Sequence, residues 1–182
     1  LKILQKAKEV GLETSIDLVS ENSDRYGIVL PCLPYTDYLI VNELEAGKLA
    51  GIEPTAENLQ KIAEKLKELG VRKKVIIHMP ERSVCLSDEG YSALGSYILP
   101  DGYIQGTTGA GDAFCAGALI GIYSHWSDRK IMEFFTKFVA FVKQYCMEME
   151  FIDLFEFQSR LKQGVECLFP KRLWIRAEVS AV

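Results

Sequence analysis

The residues best suited to chemistry form one run, Gly106-Thr107-Thr108-Gly109-Ala110-Gly111-Asp112-Ala113-Phe114. Small residues let a backbone come close to a ligand. A helix that starts here presents first-turn N–H groups that have no partner inside the helix, and with the helix dipole they make a local anion site. Two familiar phosphate loops are excluded. The run has no G-x-x-x-x-G-K-[ST], and Phe114 stands where the dinucleotide pattern needs its third glycine. A loop that only holds phosphate gains nothing from a carboxylate beside it. The Asp112 carboxylate makes sense as a base that takes the proton of an attacking hydroxyl, while the N–H groups stabilise charge on a phosphoryl group in transit. An acid in the first turn also favours any ordinary helix, so spacing alone leaves both readings open.

A second pair lies upstream, in DYLIVNELEAGKL. The apolar run places Asn42 and Glu45 at the carboxyl end of a buried strand, where open α/β sheets bind ligands. Three apart at a helix start, both side chains can face one cleft. The same spacing is a capping-box pattern, with Asn42 as N-cap and Glu45 reaching back, and the two roles are compatible. After the KVII run comes His78-Met79-Pro80-Glu81-Arg82-Ser83. Arg82 offers charge to a phosphate, against the plainer reading of a solvated surface arginine. His78, at a strand end, reads as a structural histidine.

The elements that must position these groups follow from apolar periodicity. Residues 1–10 predict a helix closed by Gly11, and 12–19 a strand. Residues 37–41 and 74–79 are short apolar runs of the kind buried on both faces of a sheet. A short helix over 43–50 stops at Gly51. A longer one opens at Pro54-Thr55 and runs to Leu69, with Leu59, Ile62, Ala63, Leu66 and Leu69 in one stripe and Gly70 as its stop. Two or three strands follow, broken at Asp88-Glu89-Gly90 and Pro100-Asp101-Gly102. Helices are expected over 112–123 and again after Ser127. The alternation of helix and strand with short loops predicts an α/β fold with a mainly parallel sheet flanked by helices. With no internal repeat or linker, 1–182 reads as a single α/β domain, with 139–182 as a divergent tail.

Composition narrows the function classes. The 182 residues are 48% hydrophobic and 25% charged, ordinary for a globular protein, and the formal charge of −4 gives no positive field for nucleic acid or an anionic membrane. Five scattered cysteines (Cys32, Cys85, Cys115, Cys146, Cys167) without a C-x-x-C pair, and only two histidines, argue against a disulfide framework or a zinc site and for a reducing, cytoplasmic setting. No apolar stretch is long enough to span a bilayer. The chain opens on Leu1 inside a helical pattern, as expected of a piece of a longer protein.

GTTGAGDAFCAGAL resembles the signature of the ribokinase (PfkB) family of carbohydrate kinases, and DYLIVNELEAGKL resembles its N-x-x-E motif. The likeness covers about 12–138. It implies a ribokinase-like fold, incomplete at its N-terminus, that transfers a phosphoryl group from ATP to a hydroxyl of a sugar or sugar-like substrate. In that family the aspartate, here Asp112, is the catalytic base. Gly109, Ala110 and Gly111 supply the anion hole, and Thr107 and Thr108 lie on the nucleotide side. Asn42 and Glu45 help to hold Mg²⁺ and the phosphates, largely through water. A monovalent cation is a further cofactor of relatives, but Gly106 stands where many carry an Asp. The segment containing Arg82 replaces a glycine-bearing stretch that lies near the nucleotide phosphates.

The resemblance weakens at the C-terminus. There EFFTKFVAFVKQYCMEMEFIDLFEF stands where relatives carry alanine-rich helices that wall the adenine pocket. Phenylalanines in place of small residues would overfill that side, as a diverged end or a changed reading frame would produce. The half of the family fold that carries most sugar contacts and the lid lies outside these 182 residues. Two other readings therefore stand beside the sugar kinase: a catalytically silent remnant that binds nucleotide or a partner, and a kinase for a nucleoside or vitamin-like alcohol. An incomplete sheet leaves an open edge, so a homodimer is expected.

Overall fold

A computed structural model describes residues 1–19, 25–97 and 109–137. The chain divides into two compact units, Leu1–Gln144 and Tyr145–Val182, and the second lies outside the described residues. So do Thr107, Thr108, the Pro100-Asp101-Gly102 turn and the phenylalanine-rich tail beyond 137.

The first unit runs α1 (Lys2–Glu9), β1 (Ser15–Ile16), a 3-10 helix (Arg25–Tyr35), β2 (Tyr38–Asn42), α2 (Glu43–Ala50), α3 (Leu59–Glu68), β3 (Lys74–His78), β4 (Arg82–Ser87), β5 (Gly90–Gly95) and α4 (Ala110–Tyr123). A further helix, α5, occupies 128–137. The sheet has the order β1-β2-β3-β4-β5. β1, β2 and β3 are parallel, with Asn42 opposite His78 in register. β4 and β5 are antiparallel additions, so the sheet is mixed. The reason is local. The Asp88-Glu89-Gly90 turn is too short for the crossover a parallel pair requires, and the chain must fold straight back.

Helices cover both sheet faces, which is why β2 and β3 are apolar without alternation. On one face Leu39, Val41, Val75, Ile77 and Val84 pack with Ala46 and Leu49 of α2 and the stripe Leu59, Ile62, Ala63 and Leu66 of α3. On the other, Tyr38, Ile40, Ile76 and Cys85 pack with Phe114, Ala118 and Ile122 of α4 and with Ile131, Met132 and Phe135 of α5. Each of the large side chains among these contributes about 1.5–3 kcal/mol of transfer free energy. The α4–α5 approach depends on Gly121, where an added Cβ would lie 2.8 Å from Ile131 Cγ1.

Two buried carboxylates pin the layers. Asp37 accepts hydrogen bonds from the Thr14 amide (2.9 Å) and the Lys8 ammonium, tying α1 and β1 to β2. Asp128, 1% exposed, accepts from Lys74 and from the Ser87 hydroxyl, and its own amide donates to Glu89. The start of α5 is thereby fastened to β3 and the β4–β5 turn.

Two expected boundaries shift, and one element was not expected. Of the strand predicted over 12–19 only Ser15–Ile16 pairs, because Leu12 donates back to α1 (to the Ala7 carbonyl, 2.9 Å) and the chain past Ile16 leaves the sheet edge. The helix predicted from Pro54-Thr55 begins at Leu59, because Asn58 first closes a turn onto the Thr55 carbonyl (3.0 Å). Residues Arg25–Tyr35 form a 3-10 helix that the apolar pattern did not signal, since Pro31 and Pro34 break any longer period.

Candidate functional site

The carboxyl ends of the three parallel strands and the start of α4 meet at one open cleft of about 260 Å³. Asp17, Leu18, Val19, Asn42, Glu45, His78, Gly109, Gly111 and Asp112 line it. That is somewhat below the roughly 300–1,000 Å³ that encloses a drug-sized ligand, so the cleft suits one end of a ligand rather than the whole. A second hollow of similar size lies beside β5, lined by Ser92, Ala93, Leu94, Arg129 and Met132. Its one charged group, Arg129, is exposed and paired with Glu133 at 3.0 Å, so no chemistry converges there.

α4 supplies the anion-binding side. Gly109 is its N-cap, in the left-handed region at φ 78, a conformation that side chains rarely adopt. The first bond within the helix runs from the Ala113 amide to the Gly109 carbonyl (2.9 Å). The amides of Ala110, Gly111 and Asp112 thus precede any helical acceptor and mark the positive end of the dipole. Among the described residues, an added Cβ at Gly111 would meet no atom outside its own helix backbone within 4 Å, and this glycine lines the cleft. Asp112, in the first turn, is exposed to that space.

Opposite α4, the capping box at the start of α2 is formed in full. Asn42 Oδ1 accepts from the Glu45 amide (2.9 Å), and Glu45 Oε2 accepts from the Asn42 amide (3.1 Å). Glu45 is only 2% exposed, yet it still reaches the cleft lining. Capping and cleft-lining therefore coexist in one geometry. The cap fixes both side chains, and the short β2–α2 junction puts them at the strand's carboxyl end. Among the described residues, no three His, Cys, Asp or Glu side chains converge as a ready-made metal cage. Carboxylate and amide oxygens without such a cage fit a hard cation such as Mg²⁺, which keeps several of its own waters.

Not every expected residue arrives here. Ala110 opens α4 without lining the cleft, and Arg82 lies exposed at the start of β4, also outside the lining, where its charge is felt by Glu57 and Tyr91. Two residues join that were not expected. The strand-end position of His78 suggests a structural role, and the structure puts it in the cleft lining with Asn42. Asp17 falls within the strand expected over 12–19. Past the end of β1 its carboxyl is pushed up to about 6, first by partial burial and then by the neighbouring carboxylates of Glu45 and Asp112. The Cys115 thiol bonds to it and is itself pushed up to about 12, by burial first and by Asp17 next, so it stays a protonated donor. The available signal for Asp17 was positional: an acid at the end of a strand parallel to the one ending in Asn42.

Asp17 makes stability depend on pH. A carboxyl whose pKa is raised on folding binds its proton more tightly in the folded state. Its contribution is whole below its ordinary value of 3.8 and is lost as pH rises through about 6. In EDTA, Asp17→Asn is expected to raise the melting temperature at about pH 8 and to leave it unchanged below about pH 4. The gain stays under about 1 kcal/mol because water screens the exposed side of the group. A variant that melts earlier at both pH values would mean that favourable contacts, not repulsion, hold the carboxylate.

Comparison with known proteins bears on the fold and the family. The chain is 25% identical over 135 residues to a ribokinase of Arabidopsis thaliana, covering 74% of this chain and 35% of that protein. Its fold is shared with the apo adenosine kinase of Trypanosoma brucei brucei (TM-score 0.68, 24% identity, 79% of this chain and 46% of that one). It is also shared with the Arabidopsis thaliana ribokinase complexed with ribose and ATP (TM-score 0.63, 23% identity, 82% and 46%). The chain thus spans about a third of the first relative's length and just under half of the solved chains. Matching the family of pfkB family carbohydrate kinases over residues 2–144, the greater part of its length, the chain belongs to that family.

Proposed function

We propose that this chain is the nucleotide-side part of a kinase that transfers a phosphoryl group from ATP to a hydroxyl of a sugar or sugar-like compound. The observation that carries the reading is the meeting, in one cleft, of the exposed Asp112 carboxylate, the open amides at the start of α4 and the Asn42–Glu45 pair at the end of β2. Membership of the pfkB family and the fold shared with an adenosine kinase and a ribokinase support it.

The attacking hydroxyl gives its proton to Asp112 as its oxygen bonds to the γ-phosphorus. The bond from that phosphorus to the bridging oxygen breaks, and ADP leaves with the electron pair. Charge on the transferring group's oxygens is met by the amides of Gly109, Ala110 and Gly111, with that of Asp112 beside them, all set by the helix start and needing no reorganisation during the step. Asn42 and Glu45, held rigid by their mutual cap, would hold Mg²⁺ through water, and Asp17 lines the same cleft. When bound, the ion neutralises negative charge on the phosphates. Most of the rate then comes from positioning.

Calorimetry of the chain with Mg·ATP, beside a coupled ADP-release assay over pentoses, hexoses and nucleosides, tests the proposal. Binding that EDTA weakens, with turnover of a hydroxylated acceptor, is the expected result. Binding without turnover favours the silent remnant, and no binding of ATP removes the nucleotide reading altogether.

A further inference from the structure

The turn of α4 that meets the cleft is thinly anchored. Gly109 caps it without a side chain, and Ala110, Gly111 and Asp112 are partly or fully exposed. The first buried side chains on the helix are those of Ala113 and Phe114, and only Phe114 is large. A site made of backbone amides is only as well placed as the helix that carries them, because hydrogen bonds weaken steeply off line. Whatever seats Phe114 therefore seats the amides.

Phe114 is held on two sides. Its ring centroid lies 3.9 Å from that of Phe135 on α5, with the planes at 47°, and 4.2 Å from that of His78 at the end of β3, at 33°. Both phenylalanines are buried, and neither is among the described residues that line the cleft. The three rings form one file from α5 through α4 to the strand end. α5 is itself fastened, since Asp128 at its start accepts hydrogen bonds from Lys74 of β3 and Ser87 of β4. Phe135 thus joins a fixed support to the one large side chain behind the amides. Close-packed interiors transmit strain, so a change in this ring is felt by the turn that rests on it.

We propose that Phe135 is a positioning residue for the cleft: stacked on Phe114, it holds the first turn of α4 where the amides and Asp112 meet the ligand, and touches no ligand itself. The inference rests on the nucleotide-binding reading and adds a support to it. Phe135→Leu and Phe135→Met each remove the ring and keep an apolar side chain. Ile131→Val, equally buried on the same helix, is the control. Mg·ATP binding is measured by calorimetry on the full chain, below the melting transition of each variant. A merely structural role lowers the folded fraction, which reduces the stoichiometry and leaves Kd unchanged; a positioning role raises Kd at full stoichiometry. Both Phe135 variants are expected to bind at full stoichiometry with Kd raised by about 10-fold, the worth of one hydrogen bond to a charged group. Ile131→Val should keep the parental Kd. In the coupled assay kcat at saturating ATP should fall as well, since Asp112 rides on the same turn. Parental Kd in either Phe135 variant that melts cooperatively would overturn the proposal and leave the nucleotide reading intact. So would the same rise in Ile131→Val, or loss of cooperative melting in both Phe135 variants, the marks of general packing. A parent chain that fails to bind Mg·ATP would overturn both.

Discussion

Asp112→Asn is expected to leave the chain folded and able to bind Mg·ATP while cutting phosphoryl transfer by about 10²–10⁴-fold, the range supplied by one positioned general base. Asn has nearly the shape of Asp and keeps an acceptor in the first turn of α4. What it loses there is the interaction of a negative charge with the helix dipole, about 0.3–1 kcal/mol, which a melting curve reads as a small shift. The two roles that spacing left open therefore differ in which measurement moves. An ordinary first-turn acid costs a little stability and nothing in rate; a base costs the rate and almost nothing in stability. Affinity for ATP should hold or improve, since one of the three carboxylates lining the cleft is gone. The loss thus falls on kcat, the pattern of an interaction made in the transition state. Full turnover by this variant in the coupled assay would remove Asp112 from the chemistry.

The groups legible in the sequence are those whose role is local. Gly109 and Gly111 beside Asp112 announce a helix start with open amides whatever surrounds it, and the Asn42–Glu45 spacing announces a capping box that the structure forms bond for bond. The same holds for the fold. β2 and β3 are buried on both faces, and a run such as Leu39-Ile40-Val41 shows that without any knowledge of its neighbours. Asp17 and His78 were not legible in this way, because what they do depends on register. His78 matters because β3 pairs with β2 so that it faces Asn42, and Asp17 because β1 ends early and turns toward two other carboxylates. Strand pairing of that kind joins residues far apart in the chain, and no window of sequence contains it. The early end of β1 has the same origin. Thr14 is held by Asp37, 23 residues later, and Leu12 by α1, so only Ser15 and Ile16 remain to pair with β2.

Gly111→Ala separates the cleft's function from its fold most sharply. At most helical positions such a change is neutral or favourable, since alanine is the better helix former by about 0.8–1.0 kcal/mol in a helix interior and by less in a first turn. Nothing among the described residues opposes it here: Gly111 has no positive φ, and the new Cβ would meet none of their heavy atoms outside the helix's own backbone within 4 Å. The contrast with Gly121 is instructive, because there the same methyl would strike Ile131 at 2.8 Å and the fold itself would suffer. At Gly111 the methyl is instead added at the lining of the cleft, where the proposed reading puts the phosphate against the amides of α4. A displacement of about 1 Å in the reacting group is worth about 10²-fold in rate, so kcat/KM for ATP should fall by about that factor while the melting temperature holds or rises. Thermal melting and the coupled assay on the same preparation read both quantities. A variant that is more stable and still phosphorylates at the parental rate would mean that the phosphate does not approach α4 at its first turn, and the anion site would have to be sought elsewhere along the ends of β2 and β3.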